Sequence, residues 1–225
     1  MNNTFFITGT DTGIGKTFVA CILMQFIKSQ QKKVIGMKPI AAGIDKARGE
    51  NANEDVILIK SECSSEIRAD EINTYSFIEP IAPHIAAQKN NVEIDLSKIK
   101  MHAENLKKRA DYLFIEGAGG YLVPLNSNST MADLVDELDI PTIVVIGVKL
   151  GCINHGLLTI EAILKRGQRI FGWVANIIDK DMLESGENIS SLKKRIKAPL
   201  LGTIPYSPQH KIKDLKNYIT WPIDL

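Results

Sequence analysis

The chain has 225 residues, 44% of them hydrophobic and 24% charged, with a formal net charge of +1. That length suits one well-buried core and is short for two, so a single domain over residues 1–225 is expected. The balanced charge offers no field to gather nucleic acid or an acidic membrane surface, and no apolar stretch approaches the ~20 residues of a membrane span.

Cys21, Cys63 and Cys152 show no C-x-x-C spacing, and the N-terminus has no basic n-region. A reducing, cytoplasmic setting is expected rather than a disulfide framework. His84, His102, His155 and His210 lack the H-E-x-x-H spacing of a zinc site.

The first predicted strand covers residues 4–8 and runs into Gly9-Thr10-Asp11-Thr12-Gly13-Ile14-Gly15-Lys16-Thr17. A helical pattern follows over 16–29, with Val19, Leu23, Phe26 and Ile27 at helical spacing. Glycines in such a loop let backbone N–H groups turn inward around a phosphate, and the positive end of the helix dipole adds to the attraction. Lys16 then neutralises β- and γ-phosphate charge and the Thr17 hydroxyl serves as a magnesium ligand. The regular phosphate-loop pattern has glycine where Thr10 stands; here Gly9 lies one residue earlier, which lengthens the loop.

The second strand, 33–37, leads into Lys38-Pro39-Ile40-Ala41-Ala42-Gly43. A lysine at a strand's carboxyl end carries its charge into the same crevice, although an ordinary surface lysine fits the pattern equally well. A helix over 55–61 opens at Asp55, where a carboxylate serves either as a metal ligand or as a cap on the helix dipole. After a helix over 96–109, the strand 111–115 ends at Glu116, followed by Gly117-Ala118-Gly119-Gly120. Glu116 reads as a second metal carboxylate or as an exposed acid at a strand end. Helix 130–138, strand 142–148, helix 153–166, strand 171–178, helix 189–196 and strand 200–204 complete the series. The basic runs Lys107-Lys108-Arg109 and Lys193-Lys194-Arg195 read as solvated helix faces.

The strands are nearly continuous in Val, Ile, Leu and Phe, as strands buried on both faces are, and they alternate with helices. An α/β P-loop NTPase domain is therefore expected, with a mostly parallel sheet and helices on both faces. Such sheets bind ligands beyond the carboxyl ends of their strands, so the loops after Ile7, Met37, Ile115, Val148 and Ile177 should converge.

Five stretches together resemble the dethiobiotin synthetase family. They are residues 9–17, Lys38-Pro39, Glu116-Gly117-Ala118-Gly119-Gly120, Val148-Lys149-Leu150-Gly151-Cys152-Ile153-Asn154-His155 and Gly172-Trp173-Val174-Ala175-Asn176. The resemblance implies closure of a cyclic urea on 7,8-diaminononanoate with CO2 and ATP, through a carbamate and a carbamic–phosphoric anhydride. It implies catalytic roles for Lys16, Lys38 and Thr12, and nucleotide contacts from Gly13, Ile14, Gly15, Lys16, Thr17, Phe18 and Asn176. Magnesium falls to Thr17, Asp55 and Glu116. The substrate falls to Thr12, Lys38, Ala42, Gly119 and Gly120, and its distant carboxylate to Gly151, Cys152, Ile153 and Asn154 at a helix start. It also implies a homodimer with shared active sites. Ala42 stands where members of that family often carry serine, and the region after Pro205 departs from the family pattern, with Pro208 and Pro222 leaving little room for a long terminal helix.

Two other readings share the architecture. A nucleotide switch of the partition and division-site class would carry a second lysine early in the phosphate loop, where this chain has Thr10-Asp11-Thr12. An amidoligase of corrinoid synthesis would need a glutamine-hydrolysing nucleophile, and Cys152 has no clear His/Glu context for that role.

Overall fold

The computed structural model describes residues 3–44, 52–207 and 212–222. Pro208 and His210 lie outside them. Six strands form one sheet: β1 (Thr4–Gly9), β2 (Val34–Met37), β5 (Tyr112–Glu116), β6 (Thr142–Val148), β7 (Ile170–Ile177) and β8 (Leu200–Ile204). Their order is β2-β5-β1-β6-β7-β8 and every neighbouring pair is parallel. All six match the expected strands to within about a residue at each end, which is the usual play in such boundaries.

Burial explains why these segments pair as they do. Every residue of β1, β2, β5 and β6 is buried, so the strands need cover on both faces. Adjacent β1 residues show the two sides, since side chains alternate along a strand. The Phe5 ring meets Trp221 edge-on at 5.4 Å, and Trp221 stacks on Phe26 of helix α1 (Lys16–Ser29) at 6.1 Å. Phe6 turns the other way, toward Gly117 and Met131 at the start of α6 (Met131–Leu138).

The remaining helices are α2 (Glu54–Glu62), α3 (Ala69–Ile72), α4 (Pro83–Lys89), α5 (Leu96–Lys107), α7 (Cys152–Lys165), α8 (Ser185–Arg195) and the short α9 (Ile212–Leu215). A single 3-10 turn, Lys216–Tyr218, follows α9, and no long terminal helix forms among the described residues. The segment after that turn is tied to the sheet instead, with the Thr220 amide donating to the Leu201 carbonyl at 2.7 Å. No helix among the described residues is long and apolar enough to cross a membrane.

A second, two-stranded parallel sheet joins β3 (Ile40–Ala42) to β4 (Tyr75–Phe77). These strands, like α3 and α4, are too short to show in the sequence pattern. The small sheet's position matters, because β3 continues directly from Lys38 and Pro39 and forms one wall of the crevice described next.

Candidate active site

The phosphate loop is shaped by its glycines. Gly15 sits at φ 81°, in the left-handed region, and caps α1 with no side-chain partner, leaving the first helical N–H groups free to face an anion. A Cβ there would also crowd the Asn176 amide nitrogen, so both backbone and space favour glycine. Asn176 is buried behind the loop and donates from Nδ2 to the Ile14 carbonyl at 2.8 Å. Ile14 is wholly buried, anchoring the loop from below.

Lys16 and Thr17 open α1 and are both buried. The Lys16 Nζ donates to the Asp11 carbonyl at 2.8 Å, folding back over the loop. Burial, followed by the nearby Lys38 ammonium, lowers its pKa to about 8. The Thr17 hydroxyl donates to Glu116 Oε1 at 2.8 Å.

Glu116 is 1% exposed, which removes the reading of a surface acid. One of its oxygens, Oε1, accepts from both Thr17 and Lys38; the other, Oε2, is buried without a hydrogen-bond partner. Lys38 is equally buried and its Nζ also lies 3.0 Å from Asp55 Oδ2, so it is no surface lysine. Burial by itself would lower the Lys38 pKa, but Glu116 and Asp55 outweigh it and raise it. Burial likewise works against the Asp55 carboxylate, and Lys38 reverses the balance, holding its pKa below the usual range.

Asp55 is not the cap of α2. Asn53 fills that position: its Oδ1 accepts from the Asp55 amide at 2.9 Å, while its Nδ2 donates to the carbonyls of Ala42 and Gly43 at 2.8 and 3.0 Å. Asn53 thereby fixes the helix that carries Asp55 to the end of β3. An asparagine just before two helix-opening acids is a cap signature, and this one is the signal in the sequence that frees Asp55 from that role.

Across the loop, Gly119 and Gly120 face the phosphate cradle. A Cβ on Gly119, which sits at φ 66°, would lie 3.5 Å from the Thr12 hydroxyl and 2.7 Å from a Val123 methyl. Between these elements lies a cavity of about 700 Å³. It brings together Thr12, Gly13, Gly15, Lys16, Thr17, Phe18, Lys38, Ala42, Asp55, Glu116 and Gly119, with an apolar wall of Pro80, Ile81 and Pro83 ahead of and into α4. Nothing in the sequence pattern announces that wall.

Residues 151–154 stand apart, and none of them lines this cavity. Gly151 caps α7 at φ 94°, Asn154 is exposed, and Leu150 beside them is 87% exposed. Cys152 is buried, and burial raises its thiol pKa, which argues against a nucleophile. One ion pair links the two regions: Lys149 Nζ lies 3.2 Å from Asp11 Oδ2. A backbone hydrogen bond from Thr12, reinforced by Lys149, keeps the Asp11 carboxyl below its usual range.

The donor set suits a nucleotide and a hard divalent cation. The oxygens of Thr17, Asp55 and Glu116 lie at the phosphate loop, with no nitrogen or sulfur ligand in the group. The buried Glu116 Oε2, which has no hydrogen-bond partner, suits a cation at this position. No group of three or more His, Cys, Asp or Glu side chains placed to hold a metal ion occurs among the described residues.

A family model for an AAA domain matches residues 3–212. An ATP-dependent dethiobiotin synthetase from Aromatoleum aromaticum is 46% identical over 202 residues, covering 90% of each chain. Another from Nitrosospira multiformis is 42% identical over 219 residues, covering 97% of this chain and 95% of that one. Among solved structures, a ParA family ATPase from Chlorobium tepidum aligns with a TM-score of 0.55 over 95% of both chains, at 12% identity, which speaks for the fold alone. The sequence similarity, unlike the shared fold, separates this chain from the switch ATPases: it belongs to the ATP-dependent dethiobiotin synthetase family.

Proposed function

We propose that the crevice carries out the family's reaction on this chain's own residues: ATP-dependent carboxylation and ring closure of 7,8-diaminononanoate to dethiobiotin, ADP and phosphate. The observation that carries the assignment of residues is the convergence of the phosphate loop, Lys38 and Glu116 on one cavity. One substrate amine adds to CO2 and loses a proton, giving a carbamate. A carbamate oxygen attacks the γ-phosphorus as the bond to ADP breaks. The second amine then attacks the carbamoyl carbon, phosphate leaves, and the five-membered urea closes.

Two anions must meet in line, which is unfavourable without cations to neutralise them. Lys16 and the N–H groups at the start of α1 hold the β/γ-phosphates, and Lys38 faces them from the end of β2, suited to the carbamate and the transferring phosphoryl group. Thr12 and the backbone at Gly119 and Gly120 bound the meeting point, and Ala42 forms the neighbouring wall without a hydroxyl. Magnesium, held by Thr17, Asp55 and Glu116, would neutralise phosphate charge. Asn176, which supports Ile14 in the loop, is also our candidate for a base contact.

The substrate's distant carboxylate needs a helix start such as that of residues 151–154, which does not reach this cavity. We therefore assign that role to a second copy of the chain, in a homodimer whose two-fold symmetry makes two equivalent composite sites. The exposed leucines Leu150 and Leu158 beside and within α7 support such a contact. The interleaved strand order, with β2 and β5 inserted beside β1, supports one domain, and the free thiols of Cys21, Cys63 and Cys152 support a reducing, cytoplasmic setting.

Isotope transfer tests the chemistry. Oxygen-18 supplied in CO2 is expected in the released phosphate, with strict dependence on the diamine and with ADP as the other product. Label confined to the ring product, or cleavage of ATP to AMP, would overturn this course.

A further inference from the structure

Lys38 occupies an unusual place for a residue assigned to anionic reactants. Its ammonium is buried against Glu116 and Asp55, the two carboxylates assigned to the metal, and the Thr17 hydroxyl closes on the same Glu116 oxygen. A lysine in that position already serves as the cation of the site. Two carboxylates against one ammonium leave the cluster one positive charge short of neutral, and Glu116 Oε2 remains buried with nothing to satisfy it. The cluster is thus built for more positive charge than Lys38 delivers.

A divalent cation and the ammonium cannot both remain there at low cost. Together they would bring three positive charges into contact with two carboxylates, and like charges at contact distance repel strongly where water is scarce. The ammonium is the partner that can leave. The backbone of Lys38 is clamped on both sides, its N–H donating to the Ile72 carbonyl at 2.9 Å and its carbonyl accepting from Asn73 Nδ2 at 2.7 Å. Movement is confined to the four-carbon stem, and the adjoining cavity, lined also by Lys16, Ala42 and Gly119, gives the stem room.

We propose that Lys38 is the resident counter-ion of the metal site and is exchanged for the divalent cation, which drives its ammonium off Glu116 and Asp55 toward the anionic reactants. The exchange makes the metal do two things: neutralise phosphate, and release the lysine that receives the carbamate. Without the metal, Lys38 is spent on its own carboxylates. This inference rests on the assignment of Asp55, Glu116 and Thr17 to the metal, and the test separates the two.

The test is Mn2+ binding to the nucleotide-free protein, read from the loss of the free Mn2+ electron paramagnetic resonance signal. Removing the competing ammonium in Lys38→Met should tighten Mn2+ binding by about tenfold or more, although the same substitution destroys a residue needed for turnover. Glu116→Gln should weaken it by at least a similar factor. Lys16→Met removes a neighbouring positive charge that touches neither carboxylate, and should tighten binding much less than Lys38→Met.

Unchanged or weaker Mn2+ binding in Lys38→Met, with Glu116→Gln weakened, overturns the exchange and leaves the metal site standing. Equal tightening by the two lysine variants also overturns it, since general charge relief would then account for both. Unchanged binding in Glu116→Gln overturns the metal assignment and the exchange with it. A measurement on the unaltered protein guards against a misfolded variant. The hydrogen-bond scalar coupling between the Lys38 15Nζ and the Glu116 carboxylate 13C should be present without metal and vanish as Mg2+ saturates the site; its persistence at saturating Mg2+ overturns the exchange.

Discussion

The two halves of the proposed site differ in how finished they are. The half around Lys16, Thr17, Lys38 and Glu116 is buried and held by hydrogen bonds within the chain. The half at residues 151–154 is a helix start capped by Gly151 beside an 87% exposed leucine, outside the cavity lining. Charge chemistry demands the first arrangement, because preorganised cations act most strongly where water is excluded. Binding a long substrate's far end demands only a surface that something else completes. Under the proposed assignments, the difference teaches that the chemistry is assembled within one chain while the substrate's far end is met at an edge.

Breaking the finished half should have the largest effect. Lys16→Ala and Lys38→Ala are each expected to lower turnover about a hundredfold or more, the usual consequence of losing a charge that stabilises a transition state. Nucleotide affinity should separate them, falling strongly only in Lys16→Ala, because only Lys16 belongs to the phosphate loop. Steady-state rates and direct nucleotide binding check this. Near-normal turnover in Lys38→Ala would remove the buried cluster from the chemistry.

The unfinished half is tested by mixing. Lys16→Ala and Asn154→Ala chains, each inactive alone, should form mixed dimers that hold one doubly damaged site and one intact site. With equal amounts and free exchange about half the dimers are mixed, so roughly a quarter of the unaltered activity should return. Native mass spectrometry must show the mixed species. Mixed dimers without activity would place residues 151–154 and Lys16 in the same chain's site.

Much of the finished half was legible in the sequence, and its physical reasons are plain. β1, β2, β5, β6, β7 and β8 are fully or largely buried, so they appear as nearly continuous apolar runs. Lys38 and Glu116 could be placed at strand ends, but composition could not say whether they were buried or paired with each other. That depends on β2 and β5 being neighbours, with Met37 opposite Ile115, a long-range pairing that local pattern does not encode. β3 and β4 were missed because three residues such as Ile-Ala-Ala or Tyr-Ser-Phe are too short to show a period. α4 was missed because it has only seven residues, although Pro83 at its first turn is a start signal. Asp55 was ambiguous between cap and ligand until Asn53 took the cap.

The smallest effect expected is also the most specific to the unliganded site, and it concerns protons. Burial and the neighbouring Lys38 bring the Lys16 pKa down to about 8, from an ordinary 10.5. Phosphate at the loop should restore the charge, so nucleotide binding without metal should take up about half a proton at pH 8 and approach one at pH 9. Calorimetry in buffers of different ionisation enthalpy measures that uptake directly. The sign follows from linkage: the bound state holds the proton more tightly, so affinity falls as pH rises above about 8. Stability of the ligand-free protein should move the opposite way. Between about 8 and 10.5 the unfolded chain holds the Lys16 proton that the folded chain has lost, so this group's contribution to stability rises with pH. Lys16→Met should abolish both trends. Lys38→Met removes the second cause of the depression, so the uptake should shift to higher pH while remaining present. Uptake that is identical in the unaltered protein and in Lys16→Met would show that the proton belongs to another group, and that the finished half holds Lys16 fully charged before the nucleotide arrives.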